Sequence, residues 1–131
     1  MQEALEIERH RAAIYRTDLS RPIKLAVEFD IINSDTTFFD YGCGHGTDVK
    51  KLTDMGFKSA GWDPYYKPDA PLNSADVVNL GYILNVIEDT EERIICLKGA
   101  WELTGKVLIV AAQVLVNAPS SKNQVAYGDG V

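Results

Sequence analysis

Residues 36–48 read TTFFDYGCGHGTD, and this stretch limits the possible folds more than any other in the 131-residue chain. Thr37, Phe38 and Phe39 are β-branched or aromatic and favour a pleated backbone. Gly42, Gly44 and Gly46 then remove every second Cβ, so the chain can turn tightly and another group can approach its backbone closely. Val49 and Leu52 follow at helical spacing. The stretch predicts a buried strand, a glycine-rich turn, and a helix whose first N–H groups point above the turn. A strand leading through such a turn into a helix opens an α/β unit with a parallel sheet.

The glycine spacing narrows the ligand. A pyrophosphate-binding turn carries G-x-G-x-x-G. Here the glycines fall at i, i+2 and i+4, and Asp40 stands two residues before the first. A fixed carboxylate repels a pyrophosphate and suits a positively charged ligand. D-x-G-x-G-x-G at the end of a first strand resembles motif I of class I methyltransferases, whose cofactor, S-adenosyl-L-methionine, carries an ammonium and a sulfonium. Asp40 and the backbone of Gly42, Cys43, Gly44 and Gly46 are the expected contacts for its methionine end.

The length fits one domain. No apolar run reaches the ~20 residues that span a bilayer, and no signal peptide opens the chain, so the expectation is a cytoplasmic protein without a membrane partner. Two cysteines without a pairing pattern fit a reducing compartment. Cys43 reads as a small turn residue and Cys96 as core. The formal charge of −6 argues against nucleic-acid binding by overall charge. Arg9, Arg11, Arg16, Arg21 and Lys24 nevertheless cluster near the N-terminus, offset between residues 9 and 24 only by Asp18. They read as a solvated helix face or as an arm meeting an anionic substrate such as nucleic acid.

In chain order, residues 2–15 read as a charged helical lead. Ser20 and Pro22 signal a helix start, with a helix to about Ile32 burying Ile23, Val27 and Ile31. The lead as a whole covers residues 1–33. Residues 47–55 read as a helix closed by Gly56, and residues 57–62 as a second strand ending in Asp63-Pro64. An acidic strand end about 20 positions after the first glycine is where a ribose diol is held by two O–H···O bonds, so Asp63 takes that role with Pro64 beside it. Residues 64–74 read as a loop that leaves no room for a further helix and strand. Tyr65, Tyr66 or the proline-rich backbone are left as candidate covers for the adenine. Residues 75–81 form the next buried strand, ending in Asn79-Leu80-Gly81-Tyr82. A short helix over residues 83–87 follows, then a helix to Leu103 capped by Asp89 and Glu92, with Ile94, Leu97 and Trp101 on one face and Gly105 as its stop. Residues 106–112 form a last buried strand. Asp40, Asp63 and Asn79 all fall at the carboxyl ends of strands, where ligands of parallel sheets bind.

Arg9-His10-Arg11, Asp18-Leu19-Ser20-Arg21-Pro22, FFDYGCGHGTDV, GWDP and ADVVNLGYILNVIED together resemble the N-terminal part of the methyltransferases associated with DNA phosphorothioation. The resemblance covers nearly the whole chain. It implies one Rossmann-like domain over residues 1–131 with a class I methyltransferase fold, a mostly parallel sheet, and S-adenosyl-L-methionine as cofactor. It also implies a bacterial setting beside DNA modification. The third strand of that fold is expected to be shortened or absent and the antiparallel C-terminal strands missing. Asn79-Leu80-Gly81-Tyr82 distantly resembles the Asn-Pro-Pro-Tyr motif of amino-methylating DNA enzymes. That likeness implies catalytic roles for Asn79 and Tyr82 and cofactor contacts from Asn79, Leu80 and Gly81. Tyr82 packed in the core is the plainer reading. No metal site is expected. The competing functional readings are a dinucleotide oxidoreductase, disfavoured by the glycine spacing and Asp40, and a non-catalytic cofactor- or partner-binding module. The last strand is apolar on both faces, so its edge is expected to be covered by a second copy, a partner or a further C-terminal part.

Overall fold

The computed structural model describes residues 18–112. The helix expected over residues 2–15, Arg9, Arg11, Arg16 and everything after Ala112 lie outside the described residues. Within them the order is α1 (Arg21–Glu28), β1 (Thr37–Tyr41), α2 (Thr47–Asp54), β2 (Lys58–Trp62), β3 (Ala75–Gly81), a 3-10 turn (Leu84–Val86), α3 (Thr90–Leu103) and β4 (Thr104–Ala111). The four strands form one sheet in the order β2-β1-β3-β4. Every pairing is parallel. The chain is therefore α/β, with an arrangement compatible with a Rossmann-like fold. After β2 the chain crosses β1 and resumes on its far side, so the strand order reverses between β1 and β3. Residues 64–74 hold no regular strand or helix, as their prolines and lack of periodicity predict. Among the described residues, no helix is long and apolar enough to cross a membrane.

Each face of the sheet has its own core. Phe38 and Val77 point to the face carrying Ile23, Ala26, Ile32 and Leu52 from α1, α2 and the turn between α1 and β1. Phe39, Val78 and Leu80 point to the face carrying Ala100, with Cys96 and Leu103 packed against it. The alternation follows from the period-2 geometry of a strand.

Three expectations about element ends need correction. The first helix stops at Glu28 rather than near Ile32. Asp30 takes φ 64°, and the N–H groups of Ile31 and Ile32 both return to the Ala26 carbonyl. This tight reversal exposes Ile31 and buries Ile32 in its place. Ser20 stands at the cap position of α1, yet its side chain makes no cap bond there. Gly105 does not stop α3: the helix passes directly into β4 at Thr104, and the Thr104 hydroxyl closes the last turn by donating to the Ala100 carbonyl, 2.8 Å. Asp89 caps α3 as expected, its carboxylate accepting from the Glu92 amide. Ile94, Leu97 and Trp101 do share a face, but it is exposed. The buried strip is Cys96, Ala100 and Leu103.

Candidate functional site

The carboxyl ends of β1 and β3 meet where the strand order reverses. Asp40 and Asn79 are Cα partners in that pairing, and both are buried. The Asn79 Nδ2 donates to Asp40 Oδ1 at 3.1 Å. Only the amide nitrogen can face a carboxylate favourably, which fixes the orientation of the Asn79 side chain. Its Oδ1 is buried without a hydrogen-bond partner. A buried acceptor without a donor costs free energy, so this atom marks where an N–H or O–H group of a ligand would be stabilised.

The glycine turn lies beside this pair. Gly42, Gly44 and Gly46 all take positive φ, at 91°, 58° and 85°. Gly42 is needed for a second reason: a Cβ there would stand 2.9 Å from Ile83 Cγ1 and Cδ1. The Gly42 and Cys43 amides donate to the Trp62 carbonyl, and the Gly46 amide to that of Cys43. The Gly44 amide donates to Asp63 Oδ1 at 2.9 Å. The expectation that these four amides face a ligand is thus corrected. They are bonded within the protein, and the turn contributes shape and close approach instead. An anionic phosphate would need free amides and would meet Asp40 and Asp63.

Asp63, buried just beyond β2, gathers three backbone N–H groups. Besides Gly44 it accepts from Tyr65 and Tyr66 on Oδ2, at 2.9 and 3.0 Å. A carboxylate offers about four lone-pair directions, so Oδ1 keeps one for a further donor. Two hydroxyl bonds were expected, and this geometry leaves room for one. Pro64 is exposed in the turn that returns to Lys67. That turn folds onto the glycines: the His45 and Tyr66 rings stand 4.4 Å apart, Tyr65 meets Tyr66 edge-on at 4.7 Å, and a Cβ on Gly46 would lie 3.3 Å from the Lys67 stem.

Leu80 is wholly buried in the α3-side core, so only its backbone could reach a ligand. At Gly81 a Cβ would stand 2.9 Å from Asn79 Nδ2, and glycine there keeps the Asn79 amide in place. Tyr82 is exposed at the end of β3 and holds φ 60°, a strained conformation for a bulky side chain. Its amide donates to the Ala111 carbonyl at 2.6 Å. The core-packed alternative for Tyr82 is therefore excluded.

Cys43 stands between two carboxylates. Burial, then the charges of Asp40 and Asp63, push its thiol up to about 12. It is a neutral turn residue at any physiological pH.

Sequence reasoning missed the Ser20–Asp48 bridge. The Ser20 amide and hydroxyl donate to the two oxygens of the buried Asp48 carboxylate, at 2.7 and 2.8 Å. Asp48 lies in the first turn of α2, so the bridge holds the start of α1 against the glycine turn. Locally, Asp48 reads as an ordinary helix-start acid and Ser20 as a cap. Nothing in their 28-residue separation joins them.

A cleft of about 420 Å³ lies elsewhere, at the amino ends of β1 and β2 between Phe39, Ala60 and Ser74. Lys58 is the one charged residue lining it, so it holds no acid–base pair. The convergence of polar groups at the carboxyl ends is the better site. Among the described residues no group of His, Cys, Asp and Glu is placed to hold a metal ion. Comparison of the chain with protein-family models, curated proteins and solved structures returned no match.

Proposed function

We propose that this chain is an S-adenosyl-L-methionine-binding domain of a methyltransferase linked to DNA modification by phosphorothioation and acting on nucleic acid. Its fold would be the class I methyltransferase form of the Rossmann-like arrangement without the third strand. The observation that carries the reading is the Asp40–Asn79 pair, with its unpartnered oxygen, at the strand-order reversal beside a glycine turn. This is an acceptor-rich site, suited to ammonium and N–H groups and hostile to phosphate.

The cofactor would supply an electrophilic methyl group on a sulfonium. Asp40 and Asn79 Oδ1 would accept from N–H groups of the cofactor's methionine end or of the methyl acceptor. Asp63 Oδ1 would accept from one ribose hydroxyl. Tyr82 offers an exposed ring at the end of β3 against which a planar acceptor could stack. Holding acceptor and methyl group in line is the main contribution asked of such a site. Arg21 and Lys24 are exposed on α1, and the Ser20–Asp48 bridge brings the start of that helix to the same end of the sheet. Arg21 and Lys24 would meet an anionic polymer approaching that end of the sheet.

A second reading, a non-catalytic cofactor- or partner-binding module, draws on the bonded state of the glycine-turn amides and of Asp63. Transfer of labelled methyl groups to DNA, RNA or protein separates the two. Gly44→Val tests the site itself. A β-branched residue at φ 58° is strained and intrudes on the turn, and the variant should lose S-adenosylhomocysteine binding while its circular dichroism stays close to wild type. Normal binding by that variant would remove the glycine turn from the site.

A further inference from the structure

The proposed ligand brings two opposite charges on one carbon. The α-amino acid end of S-adenosyl-L-methionine carries an ammonium and a carboxylate. Asp40 and the buried, unpartnered Asn79 Oδ1 suit the ammonium. The carboxylate finds no donor among the Gly42, Cys43, Gly44 and Gly46 amides, which are bonded within the protein. It would also be repelled by Asp40 and Asp63. An anionic group enters beside those two carboxylates only where a cation stands at hand.

Lys67 supplies one. After β2 ends at Trp62 the chain doubles back. The Lys67 amide donates to the Asp63 carbonyl at 3.0 Å, and the Asp63 carboxylate collects the Tyr65 and Tyr66 amides inside the reversal. This returns Lys67 to the glycine turn. Its stem crosses Gly46, where a Cβ would lie 3.3 Å from Lys67 Cε, so a bare backbone at Gly46 leaves the stem its path. The ammonium is one bond beyond Cε. Its charge reaches Cys43, where it draws the thiol down against the upward push of burial, Asp40 and Asp63. Among the described residues the Lys67 side chain has no hydrogen-bond or ion-pair partner. It is exposed, a point charge on a flexible stem that can swing onto a ligand.

The spacing suits a short dipolar group. Asp40 lies near the end of β1, and Lys67 returns from the end of β2, the neighbouring strand. Neighbouring strands stand about 4.8 Å apart. Charges separated by a single carbon match so small a gap.

Resting on the S-adenosyl-L-methionine reading, we propose that this site takes its ligand's α-amino carboxylate as a zwitterion, the ammonium on Asp40 and Asn79 Oδ1 and the carboxylate on the Lys67 ammonium. Lys67 is then the residue that distinguishes an amino acid end from a simple amine.

Two ligands that differ only in that carboxylate test the assignment: S-adenosylhomocysteine and its decarboxylated form, S-adenosyl-3-thiopropylamine. In calorimetric titrations the whole chain should bind the first about five- to tenfold more tightly than the second. Lys67→Met keeps the stem and removes the charge. It should weaken S-adenosylhomocysteine binding by about the same factor and leave the amine bound as before or more tightly. Lys67→Arg should keep the wild-type preference. Circular dichroism of both variants should match wild type, since the ammonium holds no other group of the described chain. A Lys67→Met variant that keeps the wild-type preference, or that loses both ligands equally, overturns the role of Lys67 while binding by the wild type upholds the cofactor reading. A wild-type chain that binds neither ligand overturns that reading and this assignment with it.

Discussion

At the residue scale, the site is defined by what each polar group is bonded to. Cys43 lies in the glycine turn yet is inert, because burial and two carboxylates hold it neutral. At pH 8 only about one thiol in ten thousand should be ionised. Native protein should therefore react with iodoacetamide at Cys43 far more slowly than the denatured chain, as peptide mass mapping can follow; equal rates would contradict the burial argument. Asp63 was legible as an acidic strand end, but its three backbone partners were not, since they depend on how residues 65–66 and Gly44 fold around it. Asp63→Ala should consequently do two things. Hydrogen bonds to a charged group contribute about 1.5–3 kcal/mol each, and partial rescue by water should leave a net loss of about 2–3 kcal/mol in urea unfolding. It should also weaken S-adenosylhomocysteine binding. Unchanged stability would mean that the Gly44, Tyr65 and Tyr66 amides do not rely on this carboxylate. Unchanged affinity in a folded variant would remove its ribose role.

At the element scale, the strands and helices were readable because each carries its own period and breakers. The glycine turn, the Asp89 cap and the apolar run of β3 lie where local chemistry puts them. What could not be read was which way α3 faces. Its apolar residues surround the helix, so periodicity does not choose between Cys96–Ala100–Leu103 and Ile94–Leu97–Trp101. The close approach of Gly99 to Tyr41 chooses, and that is a tertiary fact. The end of α1 was misread for a similar reason: Ile31 and Ile32 both continue the apolar pattern, and the left-handed Asp30 decides which is buried. Two glycines give a controlled comparison at this scale. Gly42 and Gly56 both hold positive φ, at 91° and 95°. A Cβ at Gly56 meets nothing within 4 Å, whereas one at Gly42 meets Ile83 at 2.9 Å. Gly56→Ala should cost about 1–2 kcal/mol from backbone strain alone, and Gly42→Ala about 1–3 kcal/mol more from the displaced side chain. Equal losses in denaturant melts would show that Ile83 gives way without effect.

At the scale of the whole molecule, pH dependence and ligand choice follow from the same packing. Burial raises the Tyr41 hydroxyl and the Cys96 thiol above their usual values, as it does Cys43. Each group holds its proton more tightly in the folded chain than in the unfolded one. Their contribution is therefore fully present below the unfolded values, about 8.5 for cysteine and 10 for tyrosine, and is lost as pH rises through the folded ones. Urea midpoints should fall between pH 9 and 12; a midpoint that rises over that range would reverse the sign of the argument. The overall α/β plan and the convergence of Asp40, Asp63 and Asn79 at one sheet edge were visible in the sequence, because strand ends and glycine turns are local. The bonded state of the Gly42, Cys43, Gly44 and Gly46 amides was not, and it sharpens the choice of ligand: those four donors are taken, while the Asn79 Oδ1 is an acceptor without a partner. The central claim is that this edge binds S-adenosyl-L-methionine rather than a dinucleotide. Calorimetric titration of the wild-type chain with S-adenosylhomocysteine and, separately, with NAD tests it most directly. Saturable binding of S-adenosylhomocysteine that is lost in Asn79→Leu, with no heat from NAD, is the predicted result. Binding of NAD in preference to S-adenosylhomocysteine, or of neither, would contradict it.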